Sequence, residues 1–321
     1  MKLDFETIKK ITFGYVSFSQ KEDKLAFYRL TEAQKAAFVR EQESHIKKVN
    51  ATCGIRFDFI TDSKTFKMAF SDVGSGSSRT FYSFDVYENG EMIYSYFGDY
   101  EKVSADEFSV SLSGNSRVQV FFPNLSSFSV VSVELDDGAT VTPVVPKCNI
   151  LMHGDSITHG YDAIYSSQSY ANRVARKLDA QIVNTAIGGA VFNPEVIEKP
   201  EGFEPDLITV AYGTNDWSKL EKAKFQNNFI TFIEKLNETY PGVPKYYILP
   251  IWRGDNGRVT DCGTFDDHRE YMKKEIEKRG CIALESMDFV PHDAHMFSPD
   301  LLHPNDNGFF HYANNLIKHI K

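Results

Sequence analysis

The 321-residue chain lacks any sign of a disulfide framework: Cys53, Cys148, Cys262 and Cys281 lie far apart, in or beside apolar segments, as buried thiols do, and no CxxC pair is present. Neither a disulfide scaffold nor a zinc knuckle is implied. Long apolar stretches are missing too. The N-terminus, MKLDFETIKKITFGYV, is broken by acids and lysines every few positions, so it predicts neither a signal peptide nor a membrane span and points to a cytoplasmic protein without a membrane partner. Nor is there a long block of one charge. The formal charge of −9 is spread along the chain, which argues against a nucleic-acid surface. No internal repeat or low-complexity tract interrupts a sequence that is 42% apolar, ample for a sizeable core and, at this length, suited to two domains.

What the first part has in quantity is alternation. After a helix signalled by the capping-box sequence Thr31 to Gln34, side chains of one kind recur at every second position. The runs are Ile55, Phe57, Phe59; Phe66, Met68, Phe70; Phe81, Ser83, Asp85, Tyr87; Val118, Val120, Phe122; and Val131, Val133, Leu135. Runs of this kind pack one face inward. Asn89-Gly90 between two of them is the strongest hairpin signal, and Gly114-Asn115 and Asp137-Gly138 punctuate others. The reading is a jelly-roll-like β-sandwich over residues 1–146. It ends in a semi-rigid connector carrying Pro143 and Pro146.

From residue 147 the grammar changes. Continuous apolar runs at 148–152, 181–187, 206–212, 245–252 and 282–290 alternate with helical periodicity, as in Phe225, Phe229, Phe232, Ile233 and Leu236. That is the pattern of a parallel sheet covered on both faces. Ligands of such sheets sit beyond the carboxyl ends of the strands. Three polar clusters directly follow predicted strands: Gly154-Asp155-Ser156, Gly188-Gly189 after Asn184, and Gly213-Thr214-Asn215-Asp216. A fourth, Asp300 to Asn305, precedes the last predicted helix. Each alone reads equally well as a loop, an Asx-turn or a helix cap. All four converge on one rim.

Taken in this order, GDSIT, Asn184 with Gly189 five residues on, GTND, and Asp300 with His303 make residues 148–321 resemble the SGNH, or GDSL-type, serine hydrolases. The resemblance implies a flavodoxin-like, three-layer α/β/α domain over residues 147–321 that needs no metal or organic cofactor. It also implies Ser156 as nucleophile, His303 as general base and Asp300 as the carboxylate that orients it. The oxyanion hole would be the Ser156 N–H, the Gly189 N–H and the Asn215 side chain. The chemistry agrees on its own terms, because a serine hydroxyl is a weak nucleophile until an imidazole of fixed tautomer takes its proton.

Other residues carry duller readings. His153 and His159, flanking the serine, read as packing or solvent-exposed residues. His292, Asp293, His295 and His303 invite a metal site, set aside because the HxxH spacing falls in a Pro-bounded loop. Trp217 and Trp252, which follow strand ends, and Arg253 are candidate walls of an acyl or sugar pocket, with core or rim positions as the alternative. Phe81, Tyr82, Phe84, Tyr87, Tyr94 and Tyr96 are either a sugar-stacking face or sandwich core. A sandwich followed by a hydrolase resembles the two-domain carbohydrate esterases of this superfamily. It implies removal of acetyl or another short acyl group from a small-molecule or oligosaccharide ester through an acyl-serine intermediate. The alternatives are a general short-chain carboxylesterase or lysophospholipase and, in another class, a non-catalytic carbohydrate-binding protein.

Overall fold

The structure, a computed structural model, describes residues 1–320. Its first half holds two antiparallel sheets face to face. One runs Thr12–Phe13, Arg56–Thr61, Ser116–Phe121, Phe81–Glu88, Glu91–Asp99, with Thr142–Pro143 of the connector also paired to Arg56–Thr61. The other runs Ser17–Lys21, Lys24–Tyr28, Ser126–Leu135, Thr65–Ser75, Asp106–Ser111. Phe57, Phe59, Phe66, Met68, Phe70, Val118, Val120 and Phe122 share one aromatic-rich core between them. Asn89 and Gly90 both take positive φ, as a tight hairpin between Glu88 and Glu91 requires.

Two alternating runs differ from expectation. Along Phe81–Glu88 the residues that enter the sandwich core are Tyr82, Phe84 and Val86, not Ser83, Asp85 and Tyr87. The latter are buried as well, because this strand's other face docks on the second half: Ser83 Oγ accepts from the Ser166 N–H (2.7 Å), Asp85 from the Ser167 N–H (2.7 Å), and Tyr87 Oη meets Ser167 Oγ. In Ser126–Leu135 a register shift between Val130 and Ser132 resets the alternation, so Val130 joins Val133 and Leu135 in the core while Val131 does not.

The second half is a five-stranded parallel sheet in the order Ala180–Asn184, Cys148–Gly154, Leu207–Ala211, Lys245–Ile248, Ile282–Leu284. In chain order that is 2-1-3-4-5, the flavodoxin-like arrangement, whose switch point lies between the first and third strands. Ile150 and Met152 face helices Tyr170–Leu178 and Asp306–Ile317. Leu151 faces the opposite layer, which holds helices Lys222–Thr239 and Phe265–Lys278. None of the described helices is long and apolar enough to cross a membrane.

The two halves are knit together closely. Helix Glu32–Glu41, opened by the Thr31 capping box, leaves the sandwich, and Leu30, Phe38 and Val49 pack with Val183, Ile187 and Phe192 of the second half. Buried Arg29 donates to the carbonyls of Asn184 (2.7 Å) and Ala186 (2.9 Å), and Arg56 to that of Ala180 (2.9 Å). A buried guanidinium left without such acceptors would carry a severe desolvation cost. These bonds therefore fix the halves in one relation.

Candidate active site

The switch-point strand Cys148–Gly154 ends at the sheet's carboxyl edge, where Asp155 caps a short helix, Ser156–His159, by accepting from the Ile157 N–H (3.0 Å). A side chain at Gly154 would run into Thr158, its Cβ only 2.1 Å from Oγ1, so the close strand-to-helix turn that presents Ser156 requires glycine there. Ser156 Oγ lies 2.7 Å from His303 Nε2, and His303 Nδ1 lies 2.6 Å from Asp300 Oδ2. The histidine comes from a tight loop before helix Asp306–Ile317, pinned by Ser298 N–H to His303 O and by Gly254 N–H to Leu301 O. Asp300 Oδ1 accepts from the backbone N–H groups of Leu302 and His303. Partial burial pushes the Asp300 carboxyl up, but the bonds from His303 and those two N–H groups outweigh it and hold the group well below the usual carboxylate range. Asp300 is therefore an anion, and Nδ1 carries the proton it accepts. That leaves the Nε2 lone pair facing Ser156.

A second carboxylate attends the same imidazole. Asp162 Oδ2 is 3.6 Å from His303 Nδ1, and both Asp162 oxygens are held by Arg79 (2.7 and 2.8 Å) from the turn before strand Phe81–Glu88. Tyr161 stacks on the His303 ring, centroids 5.5 Å apart and planes 28° off parallel, and the Arg79 guanidinium lies over the Tyr161 ring, 5.3 Å from its centroid. The sandwich thus reaches the His303 imidazole through Arg79 and Asp162. No sequence signal marked either residue, since a lone Arg and a lone Asp in separate loops have no spacing to read. Asp162, Asp300 and His303 also bring ligand-type atoms within 4.8 Å of one another. Those atoms are already engaged by Arg79 and by the loop's own hydrogen bonds.

The loop after Asn184 is held from every side. Asn184 ties it to the serine helix, donating to Thr158 O and accepting from Ala186 N–H. The Gly188 N–H donates to His159 Nδ1, Lys48 Nζ to Gly188 O (2.5 Å), Lys219 Nζ to Gly189 O (3.1 Å), and Asn215 Nδ2 to Ala190 O (3.1 Å). Gly189 takes φ +91°, a conformation that favours glycine. In a trans peptide the N–H points opposite to the C=O, so Lys48, by gripping the Gly188 carbonyl, turns the Gly189 N–H away from itself and polarises it as a donor. Asp216 accepts from the Phe192 and Gly213 N–H groups and braces the loop below; burial lifts its carboxyl to about 7. Burial likewise lowers His159 well below its ordinary value, keeping it neutral as that acceptor. The contributions of Lys48 and His159 went unread in sequence.

The remaining expectations divide. Trp217 is fully buried, donates Nε1–H to Gly263 O (3.0 Å) and packs on Phe265, so it is core and lines no cleft. Its position just after GTND places it inside helix Thr214–Lys219, with the ring turned down into the layer. Arg253 is buried too, bonding Thr214 O and Asp255, and braces the turn ahead of Asn215. Trp252 is half-buried, stacked on His292 (5.3 Å) and against Phe297 beside the His303 loop, a rim position. His153 is buried, bonded to Thr185 Oγ1 and pushed down to about 3 by burial, a packing residue.

Residues 152–309 match the GDSL-like lipase/acylhydrolase family, and the second half of this chain is a member of it. The chemistry of that family is hydrolysis of acyl esters. No curated protein matches by sequence. Among solved structures, the fold is shared with the salicylyl-acyltransferase SsfX3 from a tetracycline biosynthetic pathway, at 21% identity over 96% of this chain and 92% of that one, with a TM-score of 0.81. It is shared also with a family two carbohydrate esterase from Cellvibrio japonicus (17% identity, 96% and 92% coverage, TM-score 0.64). A third is an acetyl xylan esterase, Est2A, from Butyrivibrio proteoclasticus (14%, 99% and 97%, 0.63).

Proposed function

We propose that this protein is a serine esterase that removes acetyl or another short acyl group from carbohydrate hydroxyls. The observation that carries the chemistry is the hydrogen-bonded line Ser156–His303–Asp300 at the switch point of the sheet. Ser156 Oγ attacks the ester carbonyl as His303 Nε2 takes its proton, and Asp300 stabilises the imidazolium. The Ser156 N–H, the Gly189 N–H and Asn215 Nδ2 receive the oxyanion. Each such donor contributes roughly 3–4 kcal/mol when aligned. The tetrahedral intermediate collapses as Nε2–H passes its proton to the leaving alcohol. Water then enters by the same route in reverse, releasing the carboxylic acid and free Ser156.

The carbohydrate assignment draws on the likeness to carbohydrate esterases along nearly the whole chain. The division at 146/147 belongs to the same proposal, with residues 1–146 as an accessory that supplies Arg79 and Lys48 to the site and residues 147–321 as the hydrolase. The test is a kcat/KM survey of p-nitrophenyl esters from acetate to octanoate together with acetylated xylo-oligosaccharides, scored by released acid. A short-chain optimum with preference for acetylated sugars is expected. A maximum at octanoate with no turnover of acetylated sugars would instead make it a general carboxylesterase or lysophospholipase.

A further inference from the structure

A cavity of about 570 Å³, within the roughly 300–1,000 Å³ typical of small-molecule sites, opens at the seam between the two halves. One wall is the Asn89-Gly90 turn and strand Ser116–Phe121. The other is helices Tyr170–Leu178 and Asp306–Ile317. No member of the Ser156 site lines it. Arg173, Arg176 and Lys177 stand at i, i+3 and i+4 on the first of those helices and so share a face. Among the described residues none of the three has a carboxylate within ion-pair distance, whereas Arg117 across the seam is neutralised by Asp58 and Asp179. Arg173 donates to the Gln168 and Asp306 carbonyls and Arg176 to that of Ser167, leaving several guanidinium N–H groups on each uncommitted. The carboxylates whose charges act on Arg173 and Arg176 at a distance are engaged elsewhere: Asp306 accepts from the Ile164 N–H, and Asp85 from Ser167 and Ser95. Half-exposed Phe310 presents its ring beside Arg173, 5.4 Å from guanidinium to centroid.

Partly buried cations without counter-charges are costly, and burial accordingly lowers Arg173 to about 10 and Arg176 in the same direction. Guanidinium forks with free N–H groups match planar or tetrahedral oxyanions. We propose that this seam cavity binds a small molecule carrying an oxyanion, carboxylate or phosphate, on a hydroxylated body such as a sugar acid or sugar phosphate. Arg173, Arg176 and Lys177 take the anion, and the Asn89 and Asn314 amides at the lining offer partners for hydroxyls. This site is independent of the esterase reading.

Calorimetric titration of the full chain with glucuronate, glucose 6-phosphate, inorganic phosphate and neutral glucose tests it. At least one of the sugar anions should bind, while glucose should not; which of the two binds names the source of the oxyanion. Lys177→Glu should weaken binding at least tenfold. Lys177 is exposed and makes no hydrogen bond among the described residues, so that variant keeps the fold and its ester turnover. Arg173→Gln should weaken binding similarly. Failure of both sugar anions to bind, binding of inorganic phosphate alone, equal binding of glucose, or undiminished binding by Lys177→Glu would overturn the assignment.

Discussion

Replacing Asp300 separates the two carboxylates that attend His303. In Asp300→Asn the oxygen stays where the Leu302 and His303 N–H groups need an acceptor, which places the amide NH2 against Nδ1. A donor there forces the proton onto Nε2, the wrong tautomer for a base toward Ser156. The loss combines one charge-assisted hydrogen bond, about 1.5–3 kcal/mol, with an opposed donor pair, about 1–3 kcal/mol. Together they amount to roughly a hundred- to ten-thousandfold in kcat, the upper end equal to the loss the serine-protease triad shows for the same change. Asp300→Ala removes the bond but opposes no donor, and Asp162 Oδ2, 3.6 Å away, is the next acceptor in reach. Its expected loss is the smaller one, roughly ten- to a hundredfold. Adding Asp162→Ala to that variant removes the remaining acceptor within reach and should lower kcat further. Pre-steady-state and steady-state kinetics on p-nitrophenyl acetate read all three. Equal damage in Asp300→Ala and Asp300→Asn, or no further cost from removing Asp162 in the alanine background, would refute this assignment.

Lys48→Met, which releases the Gly188 carbonyl, should lower kcat about tenfold with KM little changed, less than the hundred- to thousandfold typical of deleting an oxyanion donor outright; a change confined to KM would make Lys48 a substrate contact instead. Burial raises the Glu41 carboxyl to about 7 from its ordinary 4.5. The folded state therefore holds a proton the unfolded state has lost, and stability from this group is fully present below about 4.5 and declines as pH rises to about 7. Glu41→Gln should flatten the fall in Tm across that window, and an unchanged slope would contradict it. Residues 147–321 alone would lose the cover of Leu30, Phe38 and Val49 and should be poorly soluble; a monomeric, cooperatively unfolding fragment with undiminished kcat/KM would show the halves to be independent.

What the sequence made legible is what short-range pattern encodes. Apolar runs followed by glycine and small polar residues located the sheet's carboxyl edge, and Asp300 and His303 lie close enough in the chain that their contact follows from spacing. Ser83, Asp85 and Tyr87 show where pattern runs out. A strand buried on both faces, one of them polar, has the same period as a strand with a solvent face, and only the partner's position tells which set is core. Trp217 took its core reading over its pocket-wall one for a similar reason: one residue beyond a strand-end cluster, the chain had already turned into a helix and carried the ring inward. Arg79, Lys48 and Asp162 were invisible because their roles arise from contacts with no local periodicity, some of them between residues more than eighty positions apart.

The measurement that bears most directly on the central claim is the mapping of a covalent adduct. The full chain is treated with a serine-directed fluorophosphonate, digested and analysed by mass spectrometry, alongside the Ser156→Ala variant. A single adduct on Ser156, with loss of both labelling and ester turnover in Ser156→Ala, is the predicted result. Labelling at a different serine together with full activity of Ser156→Ala would contradict the account.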